Sequence, residues 1–347
     1  MRKIASSLLI IVLFTVLFTV LPFSESIGTE DPFSPYVEEF TDGRIDWDNG
    51  VIFGTGRGYL HLNGGSKQLA LRAAQTAALQ SILKIAAGLR LNDRETLKEL
   101  GGGRIVLQLQ ALIRYQEEGS RFHKDAEKPY FEVTRRANLK GIDGLTTNLL
   151  DYFQKSGIPW KSFPQPIPKQ EKETEAETET WLVLNAGGTD VQPALFPRIL
   201  DETGKVIYEV DEVHQAALEE HGMARYVESE MPVDRWRSDS SALEEMVERV
   251  LFSWTGPSQA FAEESDQKKG KDDDRRRKRR KYVVKDVKAA EGLMKTNLVI
   301  SESDARDLKK QDASSQILKK CRVIIVVNSP LGGVEGMLDF RLAGLGG

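Results

Sequence analysis

The apolar positions of the chain first appear as one block. Ile4 to Phe23 are almost wholly apolar and follow Arg2 and Lys3. Ser24 and Ser26 then supply small residues for cleavage after Ser26. Residues 1–26 read as a signal peptide. The block is close to the ~20 residues that cross a bilayer, so a retained anchor is the competing reading. Either reading places residues 27–347 outside the cytoplasm, because the positive end stays inside.

Beyond a proline-bearing lead-in (27–36), the pattern becomes that of a folded domain over 37–163. Val51 to Asn63 (VIFGTGRGYLHLN) reads as a strand with glycines at 54, 56 and 58. Ser66 to Ala87 reads as a helix with Ser66 as N-cap and Gly88 as C′ residue. Leu69, Ala73, Ala77, Ile82, Ile85 and Ala86 approximate its buried face. Its many alanines predict close packing on a sheet. Leu107, Leu109, Ala111 and Ile113 alternate with polar neighbours, so Ile105 to Gln116 reads as a strand, as does Tyr130 to Leu139. Leu145 to Phe153 reads as a second helix, stopped near Gly157 and Pro159. The order β–α–β–β–α predicts helices packed on one face of an antiparallel sheet.

Residues 164–180 (PQPIPKQEKETEAETET) break the pattern. Three prolines are followed by five Glu against two Lys, which reads as a linker. A second domain over 181–331 follows. Trp181 to Asn185, Val283 to Val287, Asn297 to Ile300 and Arg322 to Val327 read as strands. Arg198 to Leu200 and Val206 to Val210 flank the turn Asp201-Glu202-Thr203-Gly204 and read as a hairpin. Ser301 to Lys320 contains a helix with Ser301 or Ser303 as cap. A charged insert at about 232–281 interrupts this domain and includes a helix at Ser241 to Phe252. Residues 332–347 form a Gly-rich tail. The expected class is α+β throughout: two domains, each with helices on a mainly antiparallel sheet.

Composition narrows the chemistry. Of 347 residues, 48 are Lys or Arg and 52 are Asp or Glu, with formal charge −4. One cysteine, Cys321, excludes an intrachain disulfide and an all-Cys metal site. It stands at the entrance to an apolar strand and reads as a buried thiol. GTGRG (54–58) lacks the spacing of a dinucleotide fingerprint and reads as a strand approached closely by a helix backbone. His214 and His221 are seven residues apart near Asp211, Glu219 and Glu220; without H-E-x-x-H spacing they read as part of a solvated amphipathic helix. No G-x-S-x-G elbow is present. No catalytic residue, metal ligand or cofactor follows from these motifs.

The strongest charge signal is Lys268 to Lys281, with ten basic and three acidic residues. Arg275, Arg276, Arg277, Lys278, Arg279, Arg280 and Lys281 read as a loop able to meet anionic lipid head groups or lipopolysaccharide phosphates. The bland reading is a solvated loop partly neutralised by Asp272 to Asp274. Export removes nucleic acid as a partner.

GTGRGYL (54–60) leading into ALRAAQTAALQSILK (70–84), followed by a strand pair and a short helix, resembles the bacterial Lpp-twenty-type lipoprotein family and the N-terminal domain of flagellar assembly protein T. Residues 181–209, 281–292 and 296–328 look like the companion domain of exported members. The lipobox Cys of the lipoprotein family is missing here. The resemblance implies an exported, periplasmic or envelope-associated protein without catalysis. Its role would be binding or scaffolding, with an envelope protein partner in flagellar or outer-membrane assembly. The alternatives are an exported hydrolase acting on envelope polymers and a polyanion binder working through the basic loop.

Overall fold

In the computed structural model the described residues are 33–160, 162–166, 178–229, 244, 247–248 and 279–328. All belong to one compact unit, Phe33–Gly347. The signal segment, the Gly-rich tail and all of Ser241 to Phe252 except 244, 247 and 248 lie outside them. Those three are helical.

Two sheets organise the unit, and the α+β class holds. The smaller is antiparallel and contains β2 (Val37–Phe40), β3 (Gly43–Asp46), β4 (Val51–Tyr59), β5 (Tyr115–His123) and β6 (Tyr130–Asn138), in the order β2-β3-β4-β6-β5. Helix α1 (Lys67–Ala87) lies across β4 and β6. Its Ser66 cap accepts a hydrogen bond from the Leu69 amide, as its position predicts. The buried face is the expected one at Ile82, Ile85 and Ala86 and differs in the first half of the helix. Ala70, Ala74 and Ala78 are fully buried, whereas Leu69 is 51% exposed. The sheet decides this phase, because the glycines of β4 admit a methyl group and no larger side chain. Gly88 closes α1 in right-handed conformation, not as a left-handed C′ residue.

Ile105 to Gln116 is not a strand. Helix α2 (Leu97–Leu112) covers most of it, opened by a capping box in which Thr96 and Glu99 satisfy each other's amides. Ile105 and Leu109 are buried one turn apart, followed by Ile113, and Leu107 is 81% exposed. The leucines fit both an alternating and a helical stripe; the cap and the four-residue spacing prevail. Gly102 sits at φ 54°, ψ −152° and kinks the helix. The polar Tyr115–His123 is the strand instead. Helix α3 (Leu145–Ser156) ends at Gly157 as expected.

The larger sheet adds β1 (Phe33–Pro35), β7 (Thr178–Asn185), β8 (Ile199–Asp201), β9 (Val206–Tyr208), β10 (Arg225–Ser229), β11 (Arg279–Glu291), β12 (Asn297–Ile300) and β13 (Val323–Asn328). Its order is β1-β10-β13-β7-β11-β12-β8-β9. It is mixed rather than mainly antiparallel: β10 with β13, β13 with β7, β7 with β11 and β12 with β8 are parallel pairs. Helices α4 (Gln215–His221) and α5 (Glu302–Ser315) fall between its strands in the sequence, α5 capped by the Ser301 hydroxyl. The hairpin β8–β9 forms where its turn predicts, with Asp201 Oδ1 accepting from the Thr203 and Lys205 amides.

Two boundaries shift. β7 begins at Thr178, inside the segment read as linker, and Gln165 at that segment's other end bonds to the backbone at Val213 and Gln215. β11 begins at Arg279, inside the basic run.

The two sheets share one apolar core, from Ile45, Ile82 and Phe153 to Leu184, Tyr208 and Ile325. The chain passes between the sheets at Tyr36, whose amide donates to the Tyr226 carbonyl and whose carbonyl accepts from the Trp47 amide. Trp47 packs edge-on to Tyr226.

Candidate functional site

Strand β4 and helix α1 meet backbone to backbone. A Cβ built on Gly54 would lie 2.6 Å from the Ala78 carbonyl oxygen. One on Gly56 would strike the Ala74 carbonyl and the Ala78 amide, and one on Gly58 the Ala70 carbonyl. The glycines therefore serve packing, as the close-approach reading requires.

This contact borders a groove of about 500 Å³. One wall is α1, with Ala77, Gln80, Ser81 and Lys84. The other is the second half of β4, with Thr55, Gly56 and Arg57. The turn Thr41-Asp42 closes one end. The groove exists because β3 is short. It pairs with β4 only from Val51 to Gly54, and the Thr55 amide then donates to the Asp42 carbonyl at 2.8 Å. Beyond that point β4 has a neighbour on one side only, β6, among the described residues.

Antiparallel pairing fixes which main-chain groups face the open side. Because the Thr55 amide points toward β3, so do the amides and carbonyls of Arg57 and Tyr59. The Tyr59 carbonyl accepts from Asn63 Nδ2 at 2.7 Å. The Arg57 amide, the Arg57 carbonyl and the Tyr59 amide have no partner among the described residues. The Thr55 carbonyl is met by Ser81 Oγ at 3.0 Å.

The charge at the groove is mixed. Arg57 bonds Glu132 at 2.9 Å on the outer face of the sheet, and this bond raises its pKa. Lys84 is exposed and has no carboxylate within 4.0 Å among the described residues. Asp42 stands at the closed end.

A second polar constellation is buried at the junction of the sheets. Arg225 Nη2 and Nε reach Asp48 Oδ1 at 2.8 and 2.9 Å. Lys140 Nζ donates to the Asp48 carbonyl at 2.9 Å. Burial pushes the Lys140 amine down to about 7, Arg225 adding to the effect. Burial also raises the Asp48 carboxyl, outweighing the pull of Arg225. This reads as a structural lock: the Arg225 and Asp48 charges meet each other, and Lys140 ties down the Asp48 main chain.

A third feature is a cleft of about 310 Å³ that holds Asp93, Glu95 and Glu209 beside Trp160. Glu209 is ion-paired to Arg198 at 3.3 Å, and Asp93 lies 3.8 Å from Arg94. The Glu95 carboxyl is raised, first by burial and then by Glu99.

The residues singled out by sequence fall in different places. Arg275, Arg276, Arg277 and Lys278 lie outside the described residues. Arg279, Arg280 and Lys281 are not loop; they open β11 in register with Thr178, Glu179 and Thr180. Lys281 is exposed, and Glu179 bonds Arg322 at 3.0 Å. His214 is the buried N-cap residue of α4 rather than part of a solvated helix face. His221 is half-buried against Trp181, and the lost hydration, helped by Arg322, brings its pKa down to about 3. No group of three or more His, Cys, Asp or Glu able to hold a metal occurs among the described residues. Cys321 is buried and its thiol is pushed up to about 12, the inert form of the residue.

The open edge of β4 was missed by the reading of the sequence. Its signal is Asp42-Gly43 between two short alternating runs, a hairpin mark that limits the length of β3.

Residues 181–250 and 244–329 match the model of a family described as Treponema pallidum Tp0624, second domain. The match spans the larger sheet from β7 to β13; the groove lies outside it. No match was found among the curated proteins.

Proposed function

We propose that this is an exported, non-catalytic protein of the cell envelope that binds or scaffolds a protein partner, in flagellar or outer-membrane assembly. The resemblance of GTGRGYL (54–60) and ALRAAQTAALQSILK (70–84) to the Lpp-twenty-type and flagellar assembly protein T domains supports this reading. The observation that carries it is the strand edge beside α1, where main-chain donors and an acceptor stand in an open groove. Exposed edges of this kind are sites of strand addition. The match of residues 181–250 and 244–329 to the second domain of a Treponema pallidum protein supports a modular build, with the groove outside the matched module.

The test is cross-linking of the tagged protein in its native envelope fraction, followed by identification of bound molecules. Recovery of flagellar basal-body or outer-membrane assembly components at a fixed ratio is expected. Recovery of lipid or glycan alone, or release of soluble fragments from envelope polymers by the purified protein, would overturn the proposal. The second outcome favours the hydrolase alternative, for which the Asp93–Glu95–Glu209 cleft is the place to look.

A further inference from the structure

We infer that the groove between β4 and α1 binds an extended peptide, added antiparallel to β4 as a further strand and carrying an acidic side chain toward Lys84. This rests on the binding reading above and names the chemistry of the partner.

Main-chain geometry selects a peptide. The Arg57 amide and carbonyl point the same way and can exchange both hydrogen bonds with one opposing residue. The Tyr59 amide adds a third bond two residues on. A lipid head group or a sugar has no matching spacing of donor and acceptor. The β3 chain already defines the path, since its line along β4 ends at Asp42. The added strand takes up that line and leaves the sheet continuous.

Side-chain direction then selects charge. Paired residues on neighbouring strands point to the same face. Arg57 points to the outer face, where Glu132 holds it. The peptide residue opposite Gly56 therefore points to the α1 side, where Ser81 and Lys84 form the wall. Lys84 is the exposed cation there, with no carboxylate in reach among the described residues. Asp42 at the closed end has the opposite sign and works against an acidic neighbour, so the preference for an acidic residue opposite Gly56 rests on Lys84 alone.

The test uses the mature chain and two short, end-capped peptides of valine and threonine, one with a central glutamate and one with a central lysine. Amide chemical shifts and hydrogen exchange are followed at millimolar peptide. The expected result is saturable shifts and slowed exchange at Arg57 and Tyr59, with the glutamate peptide bound about fivefold more tightly. Lys84→Glu should reverse that preference while leaving the fold intact, because the side chain is exposed. Absence of shifts at Arg57 and Tyr59, or equal binding of both peptides, would overturn the inference. Envelope cross-linking of K84E separates the two levels of the argument. If the wild-type protein captures its partner and K84E does so equally, the groove is not the site although the binding role stands. If the wild-type protein captures nothing, the binding role itself fails.

Discussion

Strands β4 and β13 are both central to their sheets, yet they are built from opposite materials. β4 alternates: Ile52, Gly54, Gly56 and Gly58 face α1, and the intervening residues face outward. Three of its four inward positions have no side chain. In β13, Val323 to Val327 are buried on both faces, as is Trp181 to Leu184 in the adjoining β7. A strand between parallel neighbours is covered above and below and reads as a continuous apolar run. A strand with one open face alternates and leaves main-chain groups within reach of solvent. The larger sheet is thus closed to partners along its centre. The smaller one keeps an edge free because β3 pairs with β4 only as far as Gly54.

The sharpest way to break the comparison is at the junction both sheets depend on. Asp48→Ala leaves the Arg225 guanidinium buried without its carboxylate and should cost about 3–5 kcal/mol in urea unfolding. Next is the glycine contact. Gly56→Ala adds one methyl group against backbone atoms of Ala74 and Ala78, which cannot yield as a flexible side chain would. A loss of about 3 kcal/mol is expected from the shift of the chemical denaturation midpoint. A loss well under 1 kcal/mol would mean that α1 is free to move away.

The third prediction concerns acid. His221 has a folded-state pKa of about 3 against an ordinary 6.5, so the unfolded chain takes up the proton first. Stability from this site is full above about 6.5 and falls as pH drops toward 3, by at most about 1.4 kcal/mol per pH unit. His221→Phe should remove that slope from unfolding curves measured across the window. Ile325→Val then gives the counterpart to the glycine change: removing one methylene from β13 should cost about 1 kcal/mol. Adding a methyl group to β4 should therefore hurt more than removing one from β13. The smallest effect belongs to α2, where Leu107→Ser should change thermal stability by less than about 0.5 kcal/mol, because Leu107 is exposed.

How much was legible in the sequence differs between these regions. Ser66, the alanines and the glycines identified α1, β4 and their close approach, since each is a local signal with one structural meaning. Trp181, Asn297, Val323 and the turn at Asp201 marked their strands for the same reason. The helix at Leu97–Leu112 was obscured because Leu107, Leu109, Ala111 and Ile113 alternate as a strand does, while the helical stripe of Ile105, Leu109 and Ile113 runs through the same residues. The basic run was read as wholly loop because charge does not reveal pairing, and Arg279 to Lys281 gain strand form only from β7 beside them.

By itself, the sequence determined the export-like N-terminal segment as an expectation, the α+β class and the positions of most elements, through caps, turns and periodicity that act over a few residues. Tertiary structure decided which alanines of α1 meet the sheet, the mixed order of the larger sheet, the packing of His214 and His221, and the open edge at Arg57 and Tyr59. These depend on which chain segments become neighbours across long separations. A hydrogen-bonding group is free or used only with respect to a neighbour, and no local pattern names that neighbour.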